Sequence, residues 1–85
     1  MAYRVVLRKL AARELTSLPQ PIPGRVTRAV DALAMNPRPP RAKLLREQGG
    51  RWRLRIGDYR VLYRIHDDLV LVVVIRVRHR KDAYR

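Results

Sequence analysis

Apolar and polar positions change period once along this chain, dividing it into a helical half and a sheet half. Tyr3 to Leu7 reads as a short strand. Beyond it Ala11, Leu15 and Leu18 fall on one helical stripe, with Arg13 and Glu14 off it, until Pro19 ends the run. A second helix is plainer: Ile22, Val26, Ala29, Val30 and Leu33 recur at the spacing of one buried face. Pro21 and Pro23 lie near its start, where a missing N–H costs little, and Asn36-Pro37 closes it. Two helices joined by so short a loop form an antiparallel αα-hairpin. Arg38 to Gly50, with two prolines, two glycines and four basic residues, reads as an exposed connector.

The second half alternates. Trp52, Leu54 and Ile56 are interleaved with Arg53 and Arg55, and Tyr59, Val61, Tyr63 and Ile65 with Arg60, Leu62 and Arg64. Gly57-Asp58 between them is a hairpin turn with glycine first, as a type II′ turn prefers. After a second turn at His66-Asp67-Asp68, Leu69 to Val77 is almost continuously apolar, as a central strand covered on both faces should be. The expected fold is α+β in the order β-α-α-β-β-β: an antiparallel sheet with an N-terminal helical hairpin on one face. Its length suits one domain over residues 1–85.

Turn geometry converts the alternation into a candidate site. With Gly57 and Asp58 central, Ile56 faces Tyr59, Arg55 faces Arg60, and Leu54 faces Val61. Directly opposed residues point to the same side of a sheet. Trp52, Leu54, Ile56, Tyr59, Val61 and Tyr63 then share the face beneath the helices, and Arg53, Arg55, Arg60, Leu62 and Arg64 share the other. Like charges set directly opposite destabilise a sheet, and a bridging anion relieves them; the competing arrangement is a solvated basic face. The last strand should bring Arg76, Arg78, His79 and Arg80 to the same end, but its register at the second turn is open, and a one-residue shift reverses every facing.

Composition sharpens what that anion is. The formal net charge is +13, and 17 of the 20 basic residues are arginine, whose rigid fork binds phosphate bidentately and stacks on bases. A polyanion, RNA above all, is the expected partner. There is no cysteine, which removes disulfides, thiol catalysis and cysteine-ligated zinc, and two histidines beside seven carboxylates make a dedicated metal site unexpected. The longest apolar run, Leu69 to Ile75, is far short of the ~20 residues that span a bilayer. No secretory signal is visible, so a cytoplasmic protein with no membrane partner is expected.

At these residues the chain resembles a known family. WRLRIGDYRVLYRI, the apolar strand after it and RVRHRKDAYR are similar to the RelE branch of the RelE/ParE toxin superfamily, over the whole chain and in the same element order. The resemblance implies a toxin of a type II toxin–antitoxin system, partnered by a cognate RelB-like antitoxin in a hetero-oligomer. It implies an endoribonuclease without metal or cofactor that enters the A site of the small ribosomal subunit. There a ribose 2′-OH of the mRNA attacks the adjacent phosphate. Arg60, after the Gly-x-Tyr turn, matches the family's transition-state arginine. Arg80 matches the arginine facing the scissile phosphate, and Tyr84 the C-terminal tyrosine that acts as base or stacks on substrate. Arg53, Arg55, Arg64, Arg78, His79 and Lys81 complete the expected RNA- and phosphate-binding set. Arg53 and Arg55 stand where well-known relatives have lysine, so here they stabilise charge but are poor proton carriers.

Two other functions compete with this one. A ParE-like gyrase inhibitor would share the fold without nuclease chemistry, and a non-catalytic RNA-binding protein would share the charge. Residue alternatives also stand. Tyr84 is a proton carrier or a packing anchor, and His79 is a general acid or a strand-end histidine bonded to backbone.

Overall fold

The hairpin that the alternation predicts is present, and the rest of the sheet is assembled around it. In a computed structural model, which describes residues 2–81, the chain runs β1 (Arg4–Leu7), α1 (Lys9–Thr16), α2 (Ile22–Ala32), β2 (Ala42–Leu45), β3 (Arg51–Ile56), β4 (Tyr59–His66) and β5 (Leu71–His79). Single 3-10 turns follow β2 and β4. Ile56 pairs with Tyr59, Arg55 with Arg60, and Leu54 with Val61. Gly57 has φ 58°, the left-handed backbone that a type II′ turn needs at its first central position.

One sheet has the strand order β1-β5-β4-β3-β2. The α+β class and the helical hairpin stand, but the sheet is mixed rather than wholly antiparallel, because β1 pairs in parallel with β5. Strands joined by tight turns have no choice but to run antiparallel. β1 and β5 lie at opposite ends of the described chain, so no hairpin dictates the direction of their pairing. The expected connector is likewise corrected. Ala42–Leu45 forms the edge strand β2, with Ala42 opposite Leu54 and Leu44 opposite Trp52.

Helix and sheet meet in one core. Ala11, Val26, Val30 and Leu33 pack against Leu54, Val61, Tyr63, Val72, Val74 and Val77. Tyr63 is fully buried, and its hydroxyl donates to the Pro37 carbonyl at 2.7 Å. That bond anchors the start of the 37–50 segment. Arg38 anchors it again, through a two-pronged pair with Asp67 and a place 5.5 Å from the Trp52 ring centre. Arg38 and the Tyr3 hydroxyl together hold the Asp67 carboxyl below its usual pKa.

Burial pushes the Tyr63 phenol up to about 12. A raised phenol favours the folded state fully below the unfolded value near 10, and this contribution disappears as pH rises to about 12. An absorbance titration should therefore show one tyrosine ionising only near pH 12, and Tyr63→Phe should remove that late component. A complete titration near pH 10 would mean that water reaches the ring.

β5 contains an irregularity on which the site depends. From His66↔Leu71 to Tyr63↔Val74 the register is regular, but Leu62 then pairs with Arg76, leaving Ile75 as an extra residue. Such a bulge shifts the facing of everything beyond it. Had the first register continued, Val61 would oppose Arg76 and place it on the core face. The bulge instead puts Val77 opposite Val61, in the core, and Arg78 opposite Arg60, on the other side.

Candidate nucleic-acid interface

The sheet face away from the helices is built in rows. Arg55, Arg60 and Arg78 lie directly across β3, β4 and β5. The next row is Lys43, Arg53, Leu62 and Arg76, across four strands. Strands are spaced ~4.8 Å apart, so this row extends roughly 14 Å across the sheet. Arg51 follows on the same face of β3, opposite Leu45. An open hollow of about 510 Å³ lined by Lys43, Leu45, Arg46, Glu47 and Arg53 carries the basic face to the β2 edge.

Arg60 is the centre of the first row and is only 6% exposed. A guanidinium cannot shed its charge to escape burial, so it needs acceptors. One terminal nitrogen, Nη1, donates to the Gly57 carbonyl at 3.2 Å and to the Tyr59 carbonyl at 3.1 Å. The hairpin turn thus holds the head of Arg60 in place. Leu62 and Ile75 are buried at 2% and 5%, yet neither belongs to the core beneath the helices. Arg53 and Arg76 stand directly opposite Leu62 on either side, where their aliphatic stems can cover it.

One carboxylate reaches this array from outside the sheet. Glu14 of α1 accepts from Arg76 Nε and Nη2, lies 3.6 Å from Arg78 Nε, and also accepts the Val77 backbone N–H at 2.9 Å. It raises the pKa of Arg76.

The profile described as ParE toxin of type II toxin–antitoxin system matches residues 5–84. Toxin RelG of Mycobacterium tuberculosis is 41% identical over 100% of this chain and 99% of its own length. The chain belongs to the RelE/ParE family of type II toxin–antitoxin toxins. Toxin RelE of the same organism is 34% identical over 98% of this chain and 87% of its own. Among solved structures, a RelBE toxin–antitoxin complex from M. tuberculosis superposes with a TM-score of 0.82 at 39% identity, covering 94% of this chain and 100% of that one. An archaeal RelE–RelB complex from Pyrococcus horikoshii gives 0.83 at 30%, covering 98% and 100%.

Within this RelE-like toxin the expected site residues are distributed unevenly. Arg53, Arg55, Arg60 and Arg78 come together on the open face. Arg64 lies on β4 beyond them, and its Nη1 donates to the Gly49 carbonyl at 2.6 Å, so it also holds the loop before β3. Arg80 lies beside the hairpin turn: its N–H donates to the Asp58 carbonyl at 2.7 Å, and its side chain is 3.9 Å from the Asp58 carboxylate. His79 is separated from the arginine rows. It pairs with Tyr59, their rings edge to face 5.3 Å apart, and its Nδ1 accepts the Lys81 N–H at 3.3 Å. Lys81 is exposed, and Tyr84 lies outside the described residues. Lys43, Arg51 and Glu14 were not among the expected site residues. The alternation Arg51, Arg53, Arg55 contained a signal for the second; nothing local to α1 marked the third.

Proposed function

We propose that this toxin is a ribosome-dependent endoribonuclease that cuts mRNA in the A site. The observation that carries this reading is the Arg55-Arg60-Arg78 row, with the head of Arg60 positioned by the hairpin carbonyls. RNA supplies its own nucleophile. The ribose 2′-oxygen bonds to the adjacent phosphorus, the bond from phosphorus to the 5′-oxygen breaks, and a 2′,3′-cyclic phosphate remains. One proton leaves the 2′-OH and one reaches the departing 5′-oxygen. The protein must orient the chain, bear the extra negative charge of the phosphorane and move those protons. A phosphate oxygen is a stronger acceptor than a backbone carbonyl, so the Arg60 fork serves the developing charge. Arg80 is assigned to the phosphate and leaving oxygen. Tyr84 is assigned to take or relay the 2′-OH proton. Arg53, Arg55, Arg64, Arg78 and Lys81 bind the flanking backbone. The binding of His79 Nδ1 to a backbone N–H supports a structural role for that ring.

The relatives' complexes with RelB support a cognate, RelB-like antitoxin for this chain as well. It silences the toxin by covering the arginine face or by dislodging the C-terminal tail. A gyrase inhibitor is the second reading, favoured by the ParE description of the matching profile. Induction of the toxin followed by primer extension on a cellular message separates the two. In-frame cuts that disappear when translation is blocked are expected. DNA-damage signalling with intact message would establish the gyrase reading instead. In reconstituted ribosomes Tyr84→Phe should slow single-turnover cutting about 100-fold, the lower end of acid–base contributions, with normal binding. Wild-type cutting by that variant and slow cutting by His79→Gln would assign the proton to the histidine.

A further inference from the structure

We infer that Glu14 is a positioning residue for the arginine row, acting through the β5 bulge rather than on the substrate. The inference rests on the nuclease reading for its consequence, though its structural premise stands apart from it. β1 ends at Leu7, opposite Val74, so the β5 edge beyond that point has no strand beside it. This is where Ile75 interrupts the β4–β5 ladder. An edge N–H beside a bulge needs an acceptor, and Glu14 Oε1 supplies one to Val77 at 2.9 Å. The same oxygen accepts from Arg76 Nε at 3.1 Å, while Oε2 takes Arg76 Nη2 at 2.9 Å and faces Arg78 Nε at 3.6 Å. One carboxylate therefore grips three successive residues of the bulged segment.

These contacts bear on facing. Val77 must remain in the core for Arg78 to stay opposite Arg60, because neighbours on a strand point to opposite sides. Glu14 holds the backbone of the first and the head groups around the second. Its own position is secured by α1, whose Ala11 is fully buried in the same core. Helix α1 thereby stabilises the one register that builds the row. The opposite role, an anion that blocks the site until phosphate displaces it, fits the contacts less well. Displacement would strip the Val77 N–H as well as two guanidiniums, from a carboxylate only 18% exposed.

The test uses the full-length toxin on programmed ribosomes. Glu14→Ala should lower the single-turnover cleavage rate about 10–100-fold, the scale of a small misplacement of a reacting group. Ribosome affinity at fixed salt should hold or rise slightly, since a negative charge has been removed. Glu14→Gln, which can still accept the Val77 N–H, should restore amide-exchange protection at Val77 and recover only part of the rate. Arg76 and Arg78 Nε–H signals should broaden in both variants. A wild-type rate in Glu14→Ala, a faster rate, or equal losses in rate and affinity would each overturn the proposal. If the wild-type toxin itself does not cut, the nuclease reading fails. Loss of Val77 protection in Glu14→Ala then still reports the clamp, and unchanged protection removes it.

Discussion

Arg60→Ala should abolish most cleavage while leaving ribosome binding nearly intact. Arg60 is one of 20 basic residues, so its removal changes the overall attraction little. At the phosphate the arithmetic differs. Loss of one preorganised donor to a developing oxyanion costs ~3–4 kcal/mol, or roughly 10²–10³ in rate. Preorganisation is visible here, because the Gly57 and Tyr59 carbonyls hold the guanidinium before substrate arrives. Arg60 is also buried, so thermal unfolding must be recorded beside the kinetics. Arg60→Lys separates the roles. It keeps the charge but not the planar fork, and should fall between wild type and alanine in rate. Single-turnover rates and ribosome affinities measured on the same preparations decide the matter. Equal losses in the two would show that Arg60 only docks the protein.

Binding should also collapse with salt. Lys43, Arg51, Arg53, Arg55, Arg64 and Arg78 lie on one basic face, and each phosphate they neutralise releases counterions. For single-stranded RNA each contact contributes about −0.7 to the slope of log affinity against log salt. About six contacts then give a slope near −4, and raising salt from about 50 to about 200 mM should weaken binding roughly 10²–10³-fold. Replacing Lys43 or Arg53 by alanine should reduce the slope by about 0.7 apiece. Titration of a non-cleavable, 2′-deoxy message on programmed ribosomes reads both quantities. An affinity that stays flat across that range would exclude phosphate neutralisation by this face as the source of binding.

The parts of the site closest together in sequence were the most legible. Gly57-Asp58 sets Arg55 opposite Arg60 through two turn residues, and no distant contact is needed to align them. The last strand was harder. Val72, Val74 and Val77 are separated by two and then three residues, the trace of a bulge. Val73 and Ile75 are apolar too, so a strand covered on both faces hides that step. Nothing local marks β2 as a strand, because Pro39-Pro40 precedes it and its four residues show little alternation; pairing with β3 supplies what local propensity lacks. Proximity in sequence groups His79 with the arginines, but the register turns it toward Tyr59.

The amino-acid sequence by itself determined the helical hairpin, the β3–β4 register and the basic face. Each follows from local periodicity, turn chemistry or charge, which act over a few residues or not at all through the fold. The tertiary structure alone decided that β1 lies parallel to β5, that Ile75 bulges, and that Glu14 holds Arg76 and Val77 beside the row. These depend on groups far apart in the chain. Glu14 and Val77 are 63 residues apart, and burying Val77 rather than Arg76 under the helices becomes favourable only once α1 and the sheet have met.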